Sequence, residues 1–474
     1  MKTIVRATSF GLVLLAGCAV GPDYQRPVVS TPGTFRGSDT PAAGAGSFAD
    51  LGWWEVFQDP TLQELIRTAL ANNRDLRIAA ARVEEARGGL MAANGELFPL
   101  IGSSASYQRA RATELGTTPI PPSIKNPAEV YAVGGSVSYE LDLWGGLRRQ
   151  SEAARAQLLA GEAAQMTVRA SLVADVASTY FDLLELDTEL AIARRTLESR
   201  QKSLKLVKSR NAAGVVSKLD VRQGEGLVST AAKAIPALER SIAVTENRLS
   251  LLLGQNPGEF TRERRLQDIS LRVEVPAGLP SHLLERRPDL RAAEQQLIAA
   301  NARVGAAKAA FFPTVALTAS AGQVSADLSK LFDGPARTWS FNPSVTVPIF
   351  TGGQLRGQYV ASKAQRDQAL IAYERAVQSS FADVANALVS NVKLREIRVE
   401  QDKLLVALSD GARLSNMRYR GGVTSYLEVL DSERQLFDAE IGAARAQRDE
   451  LAAVVQLYLA LGGGWQESPG AVRR

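Results

Sequence analysis

An internal repeat limits what this chain can fold into more than any other feature of its sequence. Residues 75–99 and residues 289–313 each open with Asp-Leu-Arg and end with Phe-Pro at the same internal spacing. Further on, Leu147 matches Leu355, and the offset between these two positions is kept to the end of the second copy. Self-similarity at a constant offset is the signature of one structural unit built twice. The sequence therefore predicts two equivalent halves, residues 61–254 and 281–462.

Each half has the same predicted order of elements. An alanine-rich helix ends at Phe-Pro, and two short segments that alternate small and β-branched residues follow it. This alternation predicts β-strands in hairpins, each about the 9–11 residues that a membrane-spanning strand needs. Pro343 and Pro348 predict bulges or the end of the ladder in the last strand. The predicted strands are residues 100–111, 130–143, 314–324 and 338–350.

A very long helix follows the strands in each half, and in the first half it begins at Leu147. From Leu172 to Leu197 apolar residues alternate spacings of four and three, which is the heptad pattern of coiled-coil packing. A helix from Leu147 to Asn211 is about 95 Å long at 1.5 Å per residue. In the next helix, Pro236 predicts a kink or a local break, because a mid-helix proline costs about 3 kcal/mol.

A tight turn joins the long helix to the next one in each half. In the second half this turn lies within residues 421–434 and opens with two glycines, which can adopt the left-handed conformation that ends a helix. Ser425 followed by Glu428 predicts a capping box at the start of the returning helix. Residues 214–221 are the equivalent turn of the first half. The sequence thus predicts two helical hairpins.

The N-terminal residues are typical of a bacterial lipoprotein. A basic start and a short apolar stretch predict a signal peptide over residues 1–17, too short to span a membrane. The sequence Leu-Ala-Gly-Cys that ends at Cys18 resembles a lipobox, and this is the only cysteine in the chain. We expect lipidation of Cys18 and sorting to outer-membrane lipid, because Ala19 rather than aspartate follows it. An ordinary signal peptide with an incidental cysteine is the alternative.

The remaining segments connect or end the two repeats. Residues 18–60 begin as an extended tether rich in Pro, Gly, Ser and Thr, and the packed, equatorial region begins near Trp53 and Trp54. The position of these tryptophans before the first helix favours packing over a membrane belt. Residues 255–280 are predicted to be an equatorial linker, and residues 463–474 a C-terminal tail.

Composition excludes several classes of function. A single histidine, His282, and a single cysteine argue against most metal and thiol chemistry, and they rule out a disulfide within the chain. The formal charge of +5 is spread over helical faces, so no nucleic-acid interface is predicted. The glycines at 145–146 and 352–353 fit strand-to-helix turns, because no P-loop lysine follows them. No nucleophile–base arrangement or carboxylate pair indicates an enzyme.

The number of strands has a consequence for assembly. Four strands per chain cannot close a membrane barrel, since the smallest barrels need about eight. Open strand edges are not tolerated in lipid. If the strands lie in the membrane, several chains must share one barrel, and the protein is an obligate oligomer.

These features together resemble the outer membrane efflux protein family, also called TolC-like outer membrane factors, in its lipidated OprM- and NodT-like branch. The resemblance covers the mature chain and rests on the lipobox, the repeats, the two Phe-Pro joints, the second turn and the segments 285–290, 347–350 and 352–353. It implies a mainly α fold with membrane β-strands, in which three chains share a twelve-stranded β-barrel and a long periplasmic α-barrel. It also implies a passive exit duct for small molecules such as drugs, served by a periplasmic adaptor and an inner-membrane pump of the RND type, without a cofactor.

The same resemblance assigns the periplasmic gate to the second turn. Leu427, Asp431 and Arg434 lie on one helix face, and the first turn has no aspartate or arginine at the two charged positions. The family motif implies that Asp–Arg pairs between subunits hold the entrance closed, with Glu428 as a second acid at the aperture. The alternative is a local Asp431–Arg434 ion pair on a solvated helix, worth about a few tenths of a kcal/mol. For Glu428 the alternative is the capping box.

Two other functions fit parts of the pattern. The same fold serves as an exit duct for protein secretion, although the lipobox and the second turn weigh against that use. A periplasmic coiled-coil scaffold without a pore would leave the four strands outside the membrane. An anchored enzyme would need a site that the sequence does not offer.

Overall fold

The computed structural model describes residues 19–29, 35, 47–115, 120–121, 125–262, 264–269, 271 and 283–466. The predicted signal peptide, Cys18, His282 and the end of the predicted tail lie outside these residues. Among the helices of the described part, none is both long and apolar enough to cross a bilayer.

Helices dominate the described part of the chain, and their lengths repeat. The helices of the two halves match in pairs of 22, 67 and 35 residues, as the duplication requires. The long helix predicted over residues 147–211 is confirmed with one residue added at each end. The bounds are α1 Trp53–Val56, α2 Pro60–Asn72, α3 Arg74–Gly95, α4 Gly146–Ala212, α5 Lys218–Leu252, α6 Leu283–Arg286, α7 Pro288–Ala309, α8 Gln354–Arg420 and α9 Tyr426–Ala460.

Pro236 does not interrupt α5, so the predicted local break is wrong, whereas the alternative, a kink, stays a prediction. The helix is continuous from Lys218 to Leu252 with the proline inside it. A proline at this position removes the hydrogen bond to the carbonyl of Ala232. Both Ala232 and Pro236 are exposed in the chain. Water can therefore replace the lost partner, and the helix continues.

Four antiparallel strands form one sheet in the order β1-β2-β3-β4. The strands are β1 Leu100–Ala110, β2 Ala128–Leu141, β3 Thr314–Ser325 and β4 Arg337–Thr346. Three of them agree with the predicted strands to within two residues. Within the described residues, the outer edges of β1 and β4 pair with no other strand.

The last strand is shorter than predicted. The expected strand over residues 338–350 ends at Thr346, two residues before Pro348, which agrees with a ladder end there. Pro343, by contrast, stays in the ladder opposite Leu317 without a bulge. Proline is tolerated on an edge strand because one side of its backbone has no partner in the sheet.

The chain divides into two compact units. The first comprises Met1–Val28, Val83–Gly161 and Ala293–Tyr373, and it contains the sheet. The second comprises Val29–Arg82, Glu162–Ala292 and Glu374–Arg474.

The main apolar core lies in the second unit. Trp53 and Phe57 are fully buried there, together with Tyr180 of α4. The Tyr180 hydroxyl donates to Asp59 at 2.9 Å, and Asp59 also accepts from the first backbone amides of α2. The rings of Trp53 and Trp54 pack edge to face at 5.6 Å. The expected packing of the two tryptophans is therefore confirmed.

Candidate functional site

The second hairpin turns at a glycine in the left-handed region. Gly422 has φ of 75°, and its N–H donates to the Tyr419 carbonyl at 3.1 Å. The N–H of Val423 donates to the Arg418 carbonyl at 3.0 Å, which satisfies another free acceptor at the end of α8. After two more residues the chain enters α9 at Tyr426. The predicted helix end, turn and helix start are all present.

The capping box predicted at Ser425 does not form. Ser425 occupies the N-cap position but its side chain makes no capping hydrogen bond. The hydroxyl of Thr424 instead binds the Glu428 carboxylate, and the Arg418 guanidinium lies 3.8 Å from the same carboxylate. This prediction is wrong because a neighbouring hydroxyl competes for the glutamate. Glu428 is occupied by local partners within the chain.

The residues predicted to form the gate lie on the exposed surface of the first turns of α9. The Arg434 guanidinium donates to Asp431 at 2.7 Å, and Gln435 donates to the other carboxylate oxygen at 2.5 Å. The side chains of Asp431 and Arg434 are 49% and 64% exposed. Leu427, one turn earlier, is also exposed. In a single chain the aspartate and the arginine therefore pair with each other on a solvated helix.

A small buried cluster, the tip cluster, holds the two hairpins together. The rings of Tyr419 and Tyr426 lie 5.2 Å apart on either side of the second turn. Burial, and then the charge of Glu433, raises the pKa of Tyr426 to about 12, so this tyrosine stays neutral. Sequence reasoning missed this cluster, although a tyrosine on each side of the turn was a visible signal. Its buried members are Val207, Tyr419, Tyr426, Val429 and Leu430.

Two arginines of α4 bind the second hairpin from the first. Arg210 donates to the carbonyls of Tyr419 and Arg420 at 3.3 and 3.4 Å, both in the last turn of α8, where carbonyls lack partners within the helix. Its guanidinium also lies 4.7 Å from the Tyr419 ring centroid. A positive charge near the negative C-terminal end of a helix dipole is stabilising, so Arg210 of α4 acts as a cap for the C-terminus of α8.

Arg200, which precedes Arg210 on α4, is almost fully buried. It donates to the Leu227 carbonyl of α5 at 3.0 Å and to the Glu433 carbonyl of α9 at 3.5 Å. Its guanidinium lies 5.2 Å from the Phe437 ring centroid. Burial lowers the pKa of Arg200, and the nearby charge of Glu433 opposes that shift. One side chain thus connects α4, α5 and α9 beside the predicted gate residues.

Further along, two partly exposed arginines of α9 form ion pairs with buried glutamates of α4. Arg445 donates to Glu189 at 2.7 Å, and Arg448 donates to Glu185 at 2.9 Å. Both glutamates are buried. Burial raises the pKa of Glu185, and the hydrogen bond from Arg448 works against that shift. Breaking such a pair leaves a buried charge, so the register of α9 on α4 is firmly fixed.

The sheet in the first unit has one apolar and one polar face. Register places side chains such as Ile101, Val137, Ala319 and Phe341 in one row across all four strands. Trp339 and Val345 lie on the same face, and both are exposed. An apolar band of this kind is typical of strands that face lipid.

The opposite face of the sheet carries small polar side chains. One row across the strands reads Gly102, Ser136, Ser320 and Ser340. The hydroxyls of Ser320 and Ser340 are 2.8 Å apart. A polar face opposite an apolar one is the pattern of strands with water on one side and lipid on the other.

The N-terminal segment is docked, which corrects the prediction of an extended tether for its described part. Arg26 donates to both carboxylate oxygens of the buried Glu294 at 2.7 and 2.6 Å, and the Tyr24 hydroxyl donates to the same residue at 3.0 Å. Asp23 pairs with Arg149 at 2.6 Å. These contacts fix residues 20–26, called the strap below, against α7 and the start of α4 within the first unit.

The strap begins beside the turn between β2 and α4. The N–H of Val20 donates to the Trp144 carbonyl at 2.9 Å. Gly145 has φ of 76°, and a Cβ there would lie 2.7 Å from the Ala19 Cα. Only glycine allows this approach. The residue after Cys18 is therefore held at the junction of a strand and a helix.

Comparison with known proteins decides the family. The model of the outer membrane efflux protein family matches residues 65–255 and 279–463, one match for each half. The chain belongs to the outer membrane efflux protein family. The predicted resemblance is confirmed, and so is the predicted function as an outer-membrane channel of an efflux system.

Relatives of this efflux protein match over nearly their full length. The solvent efflux pump outer membrane protein SrpC of Pseudomonas putida is 40% identical over 466 residues, covering 97% of this chain and 98% of the relative. The cation efflux system protein CusC of Escherichia coli O6:H1 is 35% identical, covering 96% of this chain and 97% of its own.

Solved structures of outer-membrane channels share the fold. The outer-membrane channel OprN superposes with a TM-score of 0.87 at 34% identity, covering 95% of this chain and 100% of that one. The open state of the Neisseria gonorrhoeae channel MtrE gives a TM-score of 0.85 at 35% identity, covering 95% and 99%. The predicted fold class, mainly helical with four antiparallel membrane strands per chain, is confirmed.

Proposed function

We propose that three copies of this chain form one lipid-anchored duct through the outer membrane, closed at its periplasmic end by the second hairpin. The observation that carries this proposal is the two-faced sheet, both outer edges of which pair with no strand of the described part of the chain. Four strands are too few to close a barrel, and open edges are not stable in lipid. Three copies supply twelve strands, turn the apolar faces to lipid and turn the polar faces to a water-filled lumen.

The strap supports a lipid anchor at the membrane. Ala19 packs at the turn between β2 and α4, at the helix-side end of the sheet, and Cys18 is the residue that precedes it in the sequence. Acyl chains on Cys18 would enter the membrane leaflet beside that end. Several acyl chains at one residue make release from a membrane slow. The anchor and the barrel would then hold the chain at the same level of the membrane.

The exposed pair on α9 supports a gate. An ion pair as exposed as Asp431–Arg434 contributes between about 0 and 1 kcal/mol, so exchanging its partner for one on another subunit costs little. Three copies around an axis bring three aspartates and three arginines to the aperture. Pairs formed between subunits would hold the helices together, and an adaptor that parts the hairpins would break them.

The cargo is proposed to be small molecules, and the energy to come from an inner-membrane pump of the RND type through a periplasmic adaptor. The names of the relatives refer to solvent, toluene and cation efflux, which favours small molecules over secreted proteins. A duct needs no chemical step of its own. A scaffold without a pore has no use for an apolar sheet face with open edges.

The gate is tested by conductance in planar bilayers. The double variant Asp431→Ala with Arg434→Ala should raise the single-channel conductance several-fold, because the pairs that narrow the aperture are gone. The matched control removes Arg222 and Glu225 of the first hairpin, which form an i,i+3 pair at the same 2.7 Å. The control should leave conductance unchanged. Equal conductance in the gate variant and the parent protein would reject the gate, whereas no channel in any preparation would reject the duct.

A further inference from the structure

The polar face of the sheet carries a single charged side chain. Following the register, this face comprises Ser, Thr, Asn, Gln, Gly and a few apolar residues, and Glu140 is the only ionisable residue on it within the four described strands. The other charged strand residues, Arg109, Glu129 and Arg337, lie on the opposite face. Glu140 is one residue from the end of β2 that leads into α4.

Nothing in the described part of the chain neutralises Glu140. Its neighbours in the row are Ala316 and Ser344, which are small and uncharged. The side chain is exposed. The nearby acid Asp142 differs, because its carboxylate pairs with Arg148 at 3.1 Å. Glu140 therefore presents an uncompensated negative charge on the polar face.

We propose that Glu140 forms a ring of three carboxylates in the lumen that makes the duct favour cations over anions. The inference rests on the proposed function, because only a closed barrel turns this face inward. Twelve strands about 4.8 Å apart and tilted by about 40° enclose a barrel with a radius of roughly 12 Å. A glutamate side chain then brings its carboxylate to within about 8 Å of the axis.

The size of the effect follows from screening. The Debye length is about 8 Å at physiological ionic strength and about 30 Å at 0.01 M. Charges that lie about one Debye length from the axis raise the concentration of cations over that of anions across the whole lumen. This excess grows as the salt is diluted. Rings of Asp or Glu are a general basis of cation preference in channels. Cationic solutes are thus the class favoured, whereas neutral molecules are unaffected.

The test measures the local potential at the ring and does not depend on the state of the tip. Ser138→Cys places a thiol on the same face, two residues or about 7 Å along β2 from Glu140. Outer-membrane vesicles are treated with a cationic and an anionic membrane-impermeant methanethiosulfonate of similar size, and the ratio of their rates is recorded. The parent protein, whose only cysteine is Cys18, gives the background.

The ratio of cationic to anionic rates should fall when Glu140→Gln is added to Ser138→Cys. We expect a fall of about threefold at 0.15 M salt and of roughly tenfold or more at 0.01 M. Glu140→Lys should invert the preference. The matched control is Glu129→Gln, which removes an equal charge from the apolar face at the far end of β2 and should leave the ratio unchanged.

Two outcomes would overturn the proposal, and they are distinct. If both reagents reach position 138 and neither Glu140 variant changes the ratio, the ring does not select ions although the duct exists. If neither reagent reaches position 138 while a lipid-soluble maleimide does, the polar face does not line water. The shared barrel of the proposed function then fails, and the ring fails with it.

Discussion

The first hairpin turns at Gly214 and the second at Gly422, with φ of 72° and 75°. The N-cap residues that follow, Ser217 and Ser425, have the same φ of −76° and ψ of 159°. The backbones of the two tips are therefore equivalent. The contacts that their side chains make are different.

In the first tip, side chains of the tip itself form the hydrogen bonds that cap the N-terminus of α5. Ser217 accepts from the Asp220 amide at 3.2 Å while the Asp220 carboxylate accepts from the Ser217 amide at 2.9 Å. This reciprocal pair is a complete capping box. Lys218, the first residue of α5, is exposed. The first tip is thus capped by its own side chains and faces water.

In the second tip the same backbone buries an aromatic residue instead. Tyr426 stands where the first tip has Lys218, and it is only 4% exposed. The Ser425 side chain does not cap the N-terminus of α9, and the C-terminus of α8 is capped by Arg210 of the first hairpin. The two tips share the same backbone conformation, but only the second tip depends on contacts with the other hairpin. The second tip is the one whose position the tertiary contacts determine.

The largest expected difference between the tips is at their first helical residue. Tyr426→Ala should cost about 3–5 kcal/mol of local stability, because it removes a buried aromatic ring and leaves a cavity beside Tyr419. Lys218→Ala at the equivalent position should cost less than about 0.5 kcal/mol. Amide hydrogen exchange of the two hairpins under native conditions gives both opening free energies. Similar losses at the two sites would show that the tip cluster does not distinguish the hairpins.

An intermediate difference is expected at the arginines that precede the turns. Arg210→Ala should destabilise the last turn of α8 by about 2 kcal/mol, because it removes two charge-assisted hydrogen bonds and a cation–π contact. Its equivalent, Arg418, has only an exposed carboxylate 3.8 Å away, so Arg418→Ala should cost less than about 1 kcal/mol. Exchange rates of the Met417–Arg420 amides report on both. A larger effect for Arg418→Ala would contradict the cross-hairpin cap.

The smallest difference is expected at the N-caps. Ser217→Ala should cost about 1 kcal/mol in the first turn of α5, since a capping hydrogen bond is lost. Ser425→Ala should change the first turn of α9 by less than about 0.5 kcal/mol, because that side chain makes no capping bond. The exchange of the amides at residues 220 and 428 measures the two effects. Thr424→Val in a third variant should restore the Ser425 cap, and then Ser425→Ala should cost as much as Ser217→Ala.

Ser217 and Ser425 show how much of the capping of each tip can be predicted from the sequence. A serine with an acid three residues later stands at both positions, but the capping box was predicted only at Ser425 and the structure contains it only at Ser217. Val216 precedes Ser217 and offers no hydroxyl, whereas Thr424 precedes Ser425 and takes the glutamate. The competing hydroxyl was visible in the sequence. Which of two hydroxyls wins depends on rotamers and on Arg418, which only the folded tip supplies.

The candidate gate was only partly predictable. Family resemblance identified Asp431 and Arg434, and the structure places them together and exposed. The tip cluster, Arg200 and Arg210 were missed, because their contacts join residues about two hundred positions apart in the chain. No helical periodicity within one segment contains that information. The docked strap was missed for the same reason, since Glu294 is 268 positions from Arg26.

The sequence by itself determined the repeat, the number of strands, the ends of the long helices and the position of both turns. These features follow from local rules, namely periodicity, glycine at a left-handed turn and proline at a strand end. Only the tertiary structure decided which tip is self-capped, where the strap docks and which row of the sheet contains Glu140. Each of these depends on the register of distant segments, and a shift of one residue would turn every strand side chain to the other face.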